Sequence, residues 1–71
     1  MKLLRCCYGE EPCFINADQI SCISVMHDEE KGWYVQIEVR EQIWVRLEDY
    51  YSTRKEAIEV MEEFVRFVDK V

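Results

Sequence analysis

The sequence predicts an α+β domain, in which an antiparallel sheet of four to five short strands, connected as a meander, carries one C-terminal α-helix across one face. Three observations predict it. Apolar and polar residues alternate through the middle of the chain, the apolar period becomes helical beyond Thr53, and strands precede the helix rather than alternating with it. The chain of 71 residues has room for one domain. A single unit over residues 1–71 is therefore expected, with strands over about 2–51 and the helix over about 53–70.

Lys2 to Cys7 and Cys13 to Asn16 read as two short strands around "YGEEP", where Gly9 and Pro12 punctuate a turn. Pro12 has no amide donor and belongs at a strand start or on a free edge. The pattern does not divide these two segments into inward and outward faces. Gln19 to Met26 reads as the next strand, and "HDEEKG", His27 to Gly32, has the polar residues and the glycine of a connecting turn.

Trp33, Val35, Ile37 and Val39 alternate with Tyr34, Gln36 and Glu38, and Ile43, Val45 and Leu47 alternate with Trp44, Arg46 and Glu48. Both have the period of strands buried on one side. If Arg40, Glu41 and Gln42 form the loop, Val39 faces Ile43, Ile37 faces Val45 and Val35 faces Leu47, so the aliphatic side chains share one face. A two-residue loop would set Ile37 against Trp44 and mix the faces. The longer loop is preferred although it lacks the glycine that such loops favour. Placing His27 opposite Trp33 sets Val25 against Val35 and Ile23 against Ile37, and the same face results from an independent loop.

In the last segment Ala57, Val60, Met61, Phe64, Val65, Phe67, Val68 and Val71 fall on a helical stripe, with Glu56, Glu59, Glu62, Glu63, Arg66 and Lys70 on the other side. Thr53 followed by Glu56 fits a capping box at the first turn.

Fifteen acids against nine bases give a net charge of −6. Phosphate recognition needs the opposite balance, so no nucleic-acid partner is expected. "MKLLRCC" is interrupted by Arg5 before the apolar core of a secretory signal forms, and no apolar run approaches the ~20 residues of a membrane span. A cytoplasmic protein without a membrane partner is expected, with its thiols reduced.

Cys6, Cys7, Cys13, Cys22 and His27 are the residues from which a zinc or redox site would be built. Zinc ligands usually come in pairs two to four residues apart on a turn. Adjacent Cys6 and Cys7 point to opposite faces of a strand, and Cys13 and Cys22 stand alone. Reduced cysteines acting as small apolar residues are the simpler reading, so no metal or cofactor is expected. The thiol site is kept as the alternative, together with a cross-strand bridge from Cys13 to Cys6 or Cys7. His27, beside Asp28, Glu29 and Glu30, reads as a solvated turn residue rather than a catalytic base. The acids lack the fixed separation of a carboxylate pair across a cleft and the central glycine of a calcium loop. An enzyme is not expected.

Trp44 is the most informative residue. Parity puts it opposite the aliphatic face, in company with Tyr34, Glu38, Arg46 and, from the adjacent strand, Met26. Aromatics with arginine are enriched at interface hot spots, and a small core gives a further reason to associate. The bland alternative is an isolated surface indole lying against Arg46 and Glu38. The sequence therefore points to a self-associating interaction or scaffolding module, a homo-oligomer with a dimer favoured, or to contact with another protein through the same face. Tyr50 and Tyr51 lie where strand becomes helix, and one of them is expected to fill that corner.

"FINADQISCI" resembles a segment of small bacterial proteins of the FlbD/SwrD flagellar-operon kind, through Phe14, Ile15, Asn16, Ile20 and Ile23. Physically, Asn16 and Asp18 turn the chain by side-chain to backbone hydrogen bonds and let Ile20 drop into the core. The likeness covers about a sixth of the chain, "REQ" lacks that family's glycine, and the helix is longer and more acidic. It implies a related fold and carries no flagellar role.

Overall fold

The computed structural model describes residues 2–70; Met1 and Val71, the ends of the expected domain, lie outside the described residues. The elements follow in order as β1 (Leu3–Tyr8), β2 (Glu11–Asn16), a 3-10 turn (Ala17–Gln19), β3 (Ile20–Asp28), β4 (Gly32–Val39), a second 3-10 turn (Arg40–Gln42), β5 (Ile43–Arg46) and α1 (Arg54–Lys70). The sheet is antiparallel with five strands in the order β2-β1-β5-β4-β3. β3, β4 and β5 form a meander, and the β1–β2 hairpin joins it through the single pair Cys7–Arg46, leaving β2 and β3 as the two edges. A plain meander would have set β2 beside β3.

The register is the one that parity demands. Val39 pairs with Ile43 and Ile37 with Val45 across the three-residue loop, while Val25 pairs with Val35, Ile23 with Ile37 and His27 with Trp33 across the other. The loop without glycine closes because Gln42 itself adopts the left-handed conformation, at φ 63°. Leu4, Cys6, Ile15, Ile37, Val39 and Val45 form the buried cluster, and Phe64 and Val68 of α1 pack against it. Asn16 turns the chain as expected: its Oδ1 accepts the amide of Asp18 at 3.0 Å, and Ile20 then packs on the core. Asp18 contributes its backbone N–H to that bond.

The helix opens one residue after its expected start. Thr53 Oγ1 accepts the amide of Glu56 at 3.2 Å, and the Glu56 carboxylate receives the hydroxyls of Ser52 at 2.8 Å and Thr53 at 3.1 Å. The first half of the capping box thus forms, and the carboxylate returns to two hydroxyls rather than to the Thr53 amide. Thr53→Ala removes the cap and is expected to cost about 1 kcal/mol. Urea unfolding of the two chains measures that difference.

Beyond β5 the chain stays beside β4. The Leu47 amide donates to the carbonyl of Val35 at 3.0 Å, and Trp33 and Tyr51 exchange backbone bonds of 2.8 and 2.7 Å. Glu48, Asp49 and Tyr50 thus stand opposite Tyr34 alone, a three-against-one bulge that carries the chain out of the sheet toward the helix.

Candidate interaction surface on the open sheet face

Residues directly paired in an antiparallel ladder project to the same side. The pairs Met26–Tyr34, Ser24–Gln36, Gln36–Arg46, Glu38–Trp44, Cys7–Arg46 and Arg5–Phe14 therefore lie on the face away from α1. All five residues singled out from the sequence, Trp44, Tyr34, Met26, Arg46 and Glu38, are on it. They play two different parts.

Trp44 is 47% exposed and Met26 42%, and both are open to a partner. Two residues that sequence parity left unassigned join them: Phe14, 66% exposed, and Leu3, 58% exposed. The pairings Leu3–Asn16 and Arg5–Phe14 settle their side. Phe14 alternates with Ile15, so the burial of Ile15 turns Phe14 outward, whereas Leu3 carries no comparable sequence signal.

Arg46 is committed within the chain. Its Nη1 donates to the carbonyls of Leu47 at 3.1 Å and Glu48 at 3.0 Å, and its Nη2 donates to that of Gly9 at 3.1 Å. Its guanidinium also lies 4.7 Å from the Tyr50 ring centre, and that ring meets Tyr34 edge-on at 5.5 Å. Arg46 thus ties the β1–β2 turn to the bulge after β5, and its side chain is only 13% exposed. Tyr34 is half-buried beneath Tyr50, and Glu38 is half-buried beside Trp44. The corner role falls to Tyr50 on this face, while Tyr51 is held by its backbone bridge to Trp33.

Lys31 Nζ donates to Glu10 Oε1 at 2.8 Å, which brings the β1–β2 turn against the β3–β4 turn. That hydrogen bond holds the Glu10 carboxyl below, and the Lys31 ammonium above, their ordinary values. Asp28 is likewise lowered, because its carboxylate accepts the amides of Glu30 and Lys31. These groups rim a polar hollow of about 320 Å³ whose floor includes Cys7, Gln36 and Arg46. With three of the Arg46 bonds already directed to carbonyls, the hollow is a structural joint rather than an anion cradle. A second, apolar hollow of about 360 Å³ is lined by Tyr8, Ile15, Val39, Ile43 and Val45 among others.

The cysteines are dispersed by the same parity. Cys6 faces Cys13 directly across the hairpin, Cys7 turns to the other side, and Cys22 is exposed on β3. All four are free thiols. Burial pushes the Cys6 thiol up to about 12, with Cys13, Cys7 and Glu48 adding to it, and burial also raises Cys13. Such thiols are poor nucleophiles. Among the described residues no group of three His, Cys, Asp or Glu side chains converges as a metal site requires. His27 is exposed on β3 with its ring 4.6 Å from that of Trp33. Among the described residues no helix is long and apolar enough to cross a membrane.

Compared with protein-family models, with curated proteins and with solved structures, the chain gives no significant match.

Proposed function

We propose that this chain is a self-associating interaction module, a small cytoplasmic bacterial scaffold element rather than an enzyme, and that it pairs through the sheet face bearing Trp44. The observation that carries the reading is the set of exposed apolar side chains there, Trp44, Phe14, Leu3 and Met26, on one face of the sheet. Exposed apolar groups collected on one sheet face of a small domain support an interaction surface there. The charge on this side supports the same reading. Arg5 pairs with Glu48 at 2.9 Å and Lys31 with Glu10 at 2.8 Å, while acids such as Asp18, Glu29 and Glu30 lie in turns. Two copies of an acidic chain can therefore approach through a face on which, among the described residues, the Glu10 and Glu48 carboxylates are ion-paired and Glu38 is not.

A second copy is preferred to a foreign partner because the core is small and the same patch serves both sides of a two-fold contact. The likeness of the FINADQISCI segment to flagellar-operon proteins bears on fold alone in this proposal. Light scattering on the eluting peak tests it: Trp44→Glu, which replaces an exposed side chain, is expected to halve the particle mass and to remove the concentration-dependent part of the melting temperature. Equal masses for wild type and variant would remove the case for this face. One bound zinc per chain, or a disulfide that persists in reducing buffer, would instead favour the thiol alternative.

A further inference from the structure

The two edges of the sheet are built differently. β2 begins with Glu11 and Pro12, a charge and a residue without an amide donor, and both discourage another strand from adding there. β3, at the other edge, is the longest strand, with nine residues, and carries no charged residue from Ile20 to Met26 in a chain of net charge −6. Its register irregularity is confined to Ile20–Cys22, so Cys22 to Asp28 runs regularly along β4.

Burial along this edge is also incomplete. Val35 and Ile37 are fully enclosed, whereas Val25 and Ile23, which pair with them, are only half-buried although α1 packs across both strands. What they lack is a neighbour on the outer side.

The geometry points to a second copy of this chain adding its own β3 antiparallel to this edge, so that two five-stranded sheets join into one of ten strands. An antiparallel strand pairs with itself about a two-fold axis, so the surface is self-complementary. Full overlap of the nine residues puts Ser24 on the axis. Ile23 then faces Val25 of the second copy beneath the helices, and Met26 faces Cys22 of the second copy on the Trp44 side. No charge meets a like charge across the central seven residues. A second copy fits better than a foreign strand because the edge is uncharged where the rest of the chain would repel its own kind.

The edge contact is distinct from the face contact proposed above. Its two-fold is perpendicular to the sheet, whereas that of stacked faces lies parallel to it, and with the two axes intersecting at the β3 edge the two contacts together close as a tetramer of 222 symmetry.

Native mass spectrometry of the full chain and its variants tests both. Wild type is expected at four chain masses and Trp44→Glu at two, held by the edge. Ser21→Lys with His27→Lys replaces two exposed residues that flank the stretch paired about Ser24, and is expected at two chain masses, held by the face. All three substitutions together give one. In the Trp44→Glu dimer, amides of Cys22 to His27 exchange about tenfold more slowly than in the triple variant. A monomeric Trp44→Glu, or a lysine variant with the mass of wild type, overturns the edge contact. If instead Trp44→Glu keeps the wild-type mass and only the lysine variant halves it, the face reading fails and the edge stands. A monomeric wild type ends both.

Discussion

Gly32→Ala is expected to lose most of the stability of this domain, whereas Gly9→Ala loses little. Both glycines have positive φ, +63° at Gly9 and +106° at Gly32, so an alanine is strained at either place. The space around them separates the two. A Cβ at Gly9 meets nothing within 4 Å, but one at Gly32 lies 2.6 Å from the backbone oxygen of Tyr51. That oxygen is not free to move, because it accepts the amide of Trp33 at 2.8 Å while the Tyr51 amide donates back at 2.7 Å. Relieving the overlap breaks the bridge that holds the strand-to-helix connection against β4. Strained backbone of this kind costs about 1–3 kcal/mol, and loss of the paired bonds takes the total to roughly 3–4 kcal/mol. For a domain of this size that lowers the melting temperature by about 12–32 °C, against about 4–8 °C for Gly9→Ala. Thermal unfolding followed by circular dichroism reads both. Equal shifts would mean that the close approach of Tyr51 to Gly32 contributes nothing.

The part of the fold that depends on local alternation was legible in the sequence. The period-two pattern of Ile23 to Val45 leaves one register in which Val35, Ile37, Val39 and Val45 share a side, and a slip by one residue would move them all into water. Burial was strong enough to override turn preference: Gln42 takes a left-handed conformation that glycine adopts more readily, because the alternative loop would put Trp44 where Val45 belongs. The helix was legible for the same reason, since its apolar period and the Thr53 cap agree.

What lay beyond the sequence rests on contacts between distant segments. The β1–β5 junction is a single pair, Cys7–Arg46, between strands whose own patterns are complete without it. Nothing in the spacing of either strand announces the other. Arg46 shows the consequence: parity places it on the open face beside Trp44, but only the meeting of the Gly9 turn, the Leu47–Glu48 carbonyls and Tyr50 reveals that its donors are directed inward. Tyr34 is covered for a related reason, because the bulge opposite it delivers Tyr50 to its ring. The exposed part of the surface therefore shifts from the Tyr34–Arg46 pair toward Phe14 and Leu3, whose side the β1–β2 pairing decides.

Raising the pH from 8 to 10.5 is expected to weaken the wild-type fold by about 2 kcal/mol more than it weakens Cys6→Ala. Cys6 is wholly enclosed, and its thiol is pushed from 9.0 up to about 12, first by burial and then by Cys13, Cys7 and Glu48. In the unfolded chain it ionises at its ordinary value. Between the two values the unfolded state binds fewer protons than the folded one, so stability falls as pH rises. The contribution is complete below about 9, declines progressively above it and is gone near 12, where the full difference amounts to about 4 kcal/mol. Tyr51, raised by its own burial and by Asp49, Glu56 and Glu63, and Lys31, raised by Glu10, also lose stabilisation in the alkaline direction. Their share is common to wild type and Cys6→Ala, so the difference between the two urea-stability curves isolates the thiol. The cavity left by the missing sulfur lowers the variant's curve as a whole without giving it a slope. Parallel curves would show that Cys6 ionises as readily in the fold as outside it, and the enclosed position of that side chain would have to be abandoned.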